Sequence, residues 1–179
     1  MTTLRLLITP VTMLFLTLPL AGQAQPAAPA NPLTADARDA WGFVKTYVLR
    51  AAEKMPEENY PFKPVPEVRS FGQLIAHIVV TQNEVCAAET GAAKPNAQLD
   101  KAAKADLIAA LKASDAYCDT AFEGLTDARA AEPLNLYGEQ RTRLAALYML
   151  AFHGYEHYGN IVTYMRLKGL VPPTSEPRK

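Results

Sequence analysis

The chain has 179 residues, enough for one ordinary domain and short for two, with 18 basic side chains against 18 acidic ones. The charges are interspersed, with no basic stripe and no run of one sign. That argues against a nucleic-acid partner, because neutralising phosphates needs clustered Lys and Arg.

Residues 1–24, "MTTLRLLITPVTMLFLTLPLAGQA", place a single positive charge (Arg5) ahead of a long apolar run and closing small residues. This is the pattern of a secretory signal peptide cleaved after Ala24, and it predicts a periplasmic or secreted protein. A membrane would be met only through an uncleaved signal, and the Thr and Pro that break the apolar run favour cleavage. The Pro/Ala-rich residues 25–34 read as a linker with nothing to bury.

The first predicted helix runs from Ala35 to Met55, with Thr34 as its N-cap. Ala40, Phe43, Val44, Tyr47 and Val48 recur along it at three- and four-residue spacing. No apolar periodicity begins before Ala35, so residues 1–34 are expected to be dispensable for folding. Prolines in "PEENYPFKPVPEVR" rule out a regular helix there. The second helix opens at "SFGQ", where Ser70 can cap and Gln73 can reach back, and it stops at Gly91. The third spans Lys104 to Glu123, with Leu107, Ala110, Leu111, Ser114 and Cys118 along one side. The fourth runs from Thr142 to Lys168, with Gly169 as its terminator and "VPP" preventing continuation. No strand pattern longer than a few residues intervenes. The expected fold is all-α, a four-helix bundle over residues 35–173 followed by a tail at 174–179.

In an exported chain the two cysteines, Cys86 and Cys118, are expected to form a disulfide that clamps the second helix to the third. Closing a loop of this size adds about 3 kcal/mol through chain entropy. Two buried free thiols are the alternative.

The chain has three histidines, and all fall mid-helix. His153 and His157 lie one turn apart on the face that also carries Leu150, Ile161 and Tyr164, so both point into the bundle. His77 sits at the edge of the apolar stripe of the second helix, two turns in. Buried imidazoles must find hydrogen bonds or bear the cost of desolvation, and a divalent cation would accept all their lone pairs. Spacing alone leaves two readings of equal standing, ordinary core histidines and the ligands of a metal. "HGYEH" also fits the H-x-x-E-H pattern of inverted zinc peptidases, with Glu156 as base. Those enzymes need a third acidic ligand well downstream, and only Glu176, in a Pro-rich tail, follows His157. Glu156 is therefore read as a solvated or capping carboxylate.

Two segments, "MPEENYPFKPVPEVRSFGQLIAHI" and "HGYEHYGNIVTYMRLKGLVPP", resemble the DinB-like family of the DinB/YfiT type, over almost all of residues 35–173. The resemblance implies a four-helix bundle with an unusual connection order, often dimeric. It also implies a divalent metal held by one His of the second helix and the H-x-x-x-H pair of the last, matching His77, His153 and His157. Zinc or nickel suits three imidazoles. No fourth Cys or His is available to close the site, which favours a reactive centre over a structural one. Relatives of this kind use small thiols such as glutathione, mycothiol or bacillithiol in metal-dependent transfer and isomerisation. Metal-assisted hydrolysis fits the same residues, and a non-catalytic metal- or ligand-binding bundle is the alternative. The expected partner is a small molecule, with Gln82, Asn83, Tyr155, Tyr158 and Asn160 as candidates to line or support its pocket.

Overall fold

The computed structural model of the protein describes residues 30–177 apart from 97 and 100, so the expected signal at 1–24 lies outside the described residues. The first helix, α1, spans Pro32–Lys54 and starts three residues before the predicted Ala35. Proline costs nothing there, since a first-turn N–H has no partner within the helix. Thr34 is not the cap. It is fully buried, and the free N–H groups of α1 are satisfied from the far side of the sequence. The Asp127 carboxylate accepts from the main-chain N–H of Leu33 at 3.1 Å and of Thr34 at 2.9 Å, and from the Thr34 hydroxyl at 2.9 Å. Asn31 answers by accepting from the Asp127 N–H at 3.0 Å. Asn31, Leu33 and Thr34 thus take part in the fold, and removing residues up to 34 would strip this exchange.

The buried stripe of α1 is Ala37, Trp41, Val44, Val48, Ala51 and Ala52, turned from the predicted one. Phe43 is 47% exposed and packs on the surface against Tyr47 and Tyr155. Helical spacing fits either stripe, and the indole N–H of Trp41, which donates to Asp119 of a neighbouring helix, belongs to the one that is buried.

Helix α2, Phe71–Thr90, opens with the predicted capping box. The Gln73 N–H donates to Ser70 Oγ at 3.2 Å, and the Ser70 N–H donates to Gln73 Oε1 at 2.8 Å. It closes at Gly91 in the left-handed region, φ 70°. Helix α3 covers Lys104–Phe122. The connector that follows is not the plain loop expected. It contains the one-turn helix α4, Asp127–Ala130, and an antiparallel hairpin of β1, Pro133–Leu136, and β2, Glu139–Thr142. Both turn residues, Tyr137 at φ 55° and Gly138 at φ 82°, have positive φ, as a two-residue hairpin turn of the right twist requires. Tyr137 occupies a position where Asn or Gly is usual, and β2 is polar throughout, so the sequence carried little strand signal.

Helix α5, Arg143–Leu167, begins where Thr142 accepts from the Ala145 N–H at 3.1 Å. At its other end the Leu170 N–H bonds to the Met165 carbonyl at 2.9 Å and the Gly169 N–H to that of Arg166 at 3.0 Å, around the predicted glycine terminator. The expected tail at 174–179 is docked in its described part: Glu176 pairs with Arg50 and Lys54 of α1, and the Thr174 N–H donates to Tyr158 Oη at 3.1 Å.

Helix α5 packs against both α1 and α2, α2 packs against both α5 and α3, and α3 in turn meets α1, which closes a ring of four long helices. The Cys86–Cys118 disulfide joins α2 to α3 as expected, with Cα atoms 5.3 Å apart. Beside it Gln82 donates to Asp115 at 3.0 Å and accepts from the Ser114 hydroxyl. Burial pushes the Asp115 carboxyl up to about 7. No helix among the described residues is long and apolar enough to cross a membrane.

The α1–α5 contact turns on Gly154. A Cβ there would lie 2.9 Å from Val44 Cγ1 and 3.1 Å from Cγ2, and Val44 is fully buried with a stiff χ1. Gly154→Ala should therefore destabilise by about 1–3 kcal/mol, despite alanine's better helix propensity. Chemical denaturation measures this. Val44→Ala in the same chain should recover part of the loss through a negative coupling energy, whereas strict additivity would show that the clash is absent.

Candidate metal centre

Helix α2 presents His77 from its second turn and α5 presents His153 and His157 from its middle, so the α2–α5 contact brings all three rings together. His153 Nε2 lies 3.1 Å from His77 Nε2 and 3.0 Å from His157 Nε2, and ligand atoms of the three rings all lie within 4.8 Å of one another. His157 is buried, and the other two are half-buried. The rings meet edge to face, with centroids 4.3–5.0 Å apart.

These contacts do not satisfy themselves. A ring nitrogen carries one hydrogen or one lone pair, yet His153 Nε2 faces two other ring nitrogens. Its two contacts therefore cannot both be full hydrogen bonds. A single cation resolves this, because nitrogens about 3 Å apart can all stand about 2.1 Å from one ion. Protonation is resisted in the same place. Burial lowers the pKa of all three rings, and Arg69 adds to the effect at each. For His153, burial and then the two neighbouring imidazoles bring the value to about 4. Near neutral pH the set is three uncharged donors, the form that a divalent ion binds.

Asn160, one turn beyond His157, puts its amide 3.4 Å from His157 Nδ1, on the side of that ring away from the cluster. An amide offers a donor and an acceptor and can hold either tautomer. Among the described residues no fourth Cys or His joins the group, and Cys86 is committed to its disulfide.

The cluster opens onto a cleft of about 820 Å³, whose wall is the loop between α1 and α2. That loop is tied to the start of α2. The Phe71 and Gly72 N–H groups, free in a first helical turn, donate to the carbonyls of Phe62 at 3.0 Å and Tyr60 at 2.9 Å. Tyr164 of α5 donates to the Arg69 carbonyl at 2.8 Å. His77, His157, Asn160, Glu156, Lys63 and Arg69 all face this space. The remaining pocket candidates lie elsewhere: Gln82 is in the α2–α3 network, Asn83 is buried, Tyr155 stacks on Phe43, and Tyr158 donates to Thr174. Glu156 is exposed and borders the cleft, so it is solvated, as expected, but not remote. Lys63 and Arg69 went unnoticed because loop residues carry no periodic signal; the position of Arg69 just before the Ser70 cap was the available hint.

A helical bundle whose second and last long helices bring three histidines together carries a group that could hold a metal ion. The family model of the DinB superfamily matches residues 41–161, and the chain belongs to that superfamily. A DinB-like protein from Bacillus cereus has a similar structure, with a TM-score of 0.66 at 18% identity over 78% of this chain and 95% of that one. Another, from Bacillus subtilis, gives 0.65 at 23% identity over 80% of this chain and 99% of that one. At these identities the likeness is one of fold. No curated protein matches the chain.

The depressed histidines fix a sign for pH dependence in the metal-free protein. Between about 4 and the ordinary 6.5 the unfolded chain binds a proton at His153 that the fold does not. This contribution to stability is complete above 6.5 and is lost as pH falls toward 4. Asp115, raised in the fold, works in the opposite sense, so the informative quantity is a difference between variants. In the presence of a chelator, the Tm of the wild type should fall more steeply from pH 7 to pH 4.5 than that of His153→Asn. Parallel curves would mean that His153 is not desolvated.

Proposed function

We propose that this protein is an exported metal-dependent enzyme that binds one divalent ion, zinc or nickel, through His77, His153 and His157 and acts on a small molecule held in the adjoining cleft. The observation that carries this reading is that every histidine of the chain converges on one point at the cleft floor, with Nε2 atoms 3.0–3.1 Å apart in the two closest pairs. When bound, such an ion supplies Lewis acidity, lowering the pKa of a ligand that coordinates it.

The protein's own groups divide the remaining work. The three rings stay neutral and fixed in direction, and Asn160 steadies His157 from behind. Glu156 makes no salt bridge among the described residues and is the carboxylate that would take a proton from a bound nucleophile. Loss of that proton begins both reactions open to the site, transfer with a small thiol and hydrolysis. Export favours hydrolysis, since small thiols are scarce outside the cytoplasm. Two features support export: the apolar pattern of residues 1–24 and a fold with both cysteines in a buried disulfide.

Metal analysis of protein reconstituted with zinc, nickel, manganese and iron tests the centre. About one ion per chain is expected for zinc or nickel, and each of His77→Ala, His153→Ala and His157→Ala should reduce occupancy at least tenfold, because two imidazoles hold an ion far less well than three. Less than about a tenth of an ion per chain with every metal would leave three core histidines as the answer.

A further inference from the structure

Among the described residues, the cleft beside the histidines is lined by four charged side chains, Lys63, Glu67, Arg69 and Glu156, whose charges cancel. Neither Lys63 nor Arg69 has a salt-bridge partner among the described residues, although carboxylates share the cleft with them. Arg69 has its own main chain anchored. Its carbonyl accepts from Tyr164 Oη at 2.8 Å, and the next residue is locked in the capping box of α2. Its guanidinium is thus carried on a fixed backbone while its head stays exposed. Its field reaches all three imidazoles.

A cation held there is unfavourable beside a divalent ion unless an anion comes between them. With the four side chains balanced, the loaded site has a surplus of two positive charges. A ligand that gives one anionic donor to the ion and one carboxylate to the guanidinium neutralises that surplus. A phosphate dianion in addition to the donor would overshoot and would also meet Glu67 and Glu156. A planar carboxylate matches the two parallel N–H groups of a single arginine.

We propose that Arg69 is the carboxylate-binding residue of this cleft, and that the substrate is a small carboxylate-bearing molecule with its metal-binding group at the other end. This rests on the metal reading above.

The probes are the malonic, succinic and glutaric monohydroxamates, each compared with an uncharged alkyl hydroxamate of the same length. The hydroxamate supplies the anionic metal donor, so only the distal carboxylate differs within a pair. Binding to the zinc-loaded, full-length protein is followed by calorimetry, with zinc content measured separately for every variant. At least one charged probe should bind about tenfold more tightly than its alkyl partner, and added salt should shrink the preference. Arg69→Ala should abolish the preference while changing alkyl-hydroxamate affinity far less and keeping zinc near one ion per chain, and Arg69→Lys should keep part of it. The side chain of Arg69 is exposed and only its carbonyl anchors the loop, so these variants keep the fold.

Full zinc occupancy with no preference at any length, or a preference that survives Arg69→Ala, overturns this assignment and spares the metal centre. Failure to hold zinc, nickel, manganese or iron overturns both. Inorganic phosphate displacing the charged probe more strongly than acetate would reassign the arginine to phosphorylated ligands.

Discussion

The arrangement depends on helix α5 being enclosed on two sides. It lies against α1 through Gly154 and Val44 and against α2 through the histidine cluster. A helix in that position cannot have one narrow apolar stripe, and its buried residues run around much of its circumference, from Ala146 and Leu147 through Gly154 and His157 to Met165. The absence of a side chain at residue 154 lets α1 approach within one residue of His153. The same contact that sets the α1–α5 distance therefore also holds the histidine-bearing face of α5 in place, and close packing transmits any change in one to the other.

Local chemistry explains which parts of the fold were legible in the sequence. The capping box at Ser70, the glycine stops at Gly91 and Gly169 and the Thr142 cap each depend on residues within a few positions of one another, so they could be read directly. The start of α1 could not. Its donors are satisfied by Asp127, more than ninety residues away, and a cap borrowed across the fold leaves no local pattern. The hairpin was hidden because Tyr137 carries the positive φ that usually reveals itself as Asn or Gly. The buried face of α1 was read in the wrong rotation because periodicity gives a stripe's spacing, while neighbours decide which of two adjacent stripes is covered. For the site, spacing on one helix united His153 and His157, but His77 joined them only through packing between helices, and the cleft's charged wall arises from a loop without period.

The electrostatics of the cluster separate two demands that usually conflict. Burial makes protonated histidine costly and keeps the rings neutral, which is what metal binding requires. Burial also leaves neutral rings short of hydrogen bonds, as His153 Nε2 shows between two other ring nitrogens. In a metal-free fold this is a penalty that packing elsewhere has to offset. With an ion present the same desolvation strengthens the bond to each ligand, because less water competes for the lone pairs.

Helix α2 divides these tasks between its two faces. His77 and Cys86 are nine residues apart, which places them about 180° from each other on the helix. One face meets α5 and carries a ligand of the cluster. The other meets α3 through the disulfide and through the buried Gln82–Ser114–Asp115 network. The bridge holds α2 from behind, opposite the cluster, where it takes no donor from the centre and leaves the cleft open. A third cysteine or a histidine on the cleft side would have closed the coordination sphere and made the centre structural. With its covalent clamp on the far face and His77 on the near one, α2 can hold that ring rigidly against the two imidazoles of α5 and still leave the cleft beside them open.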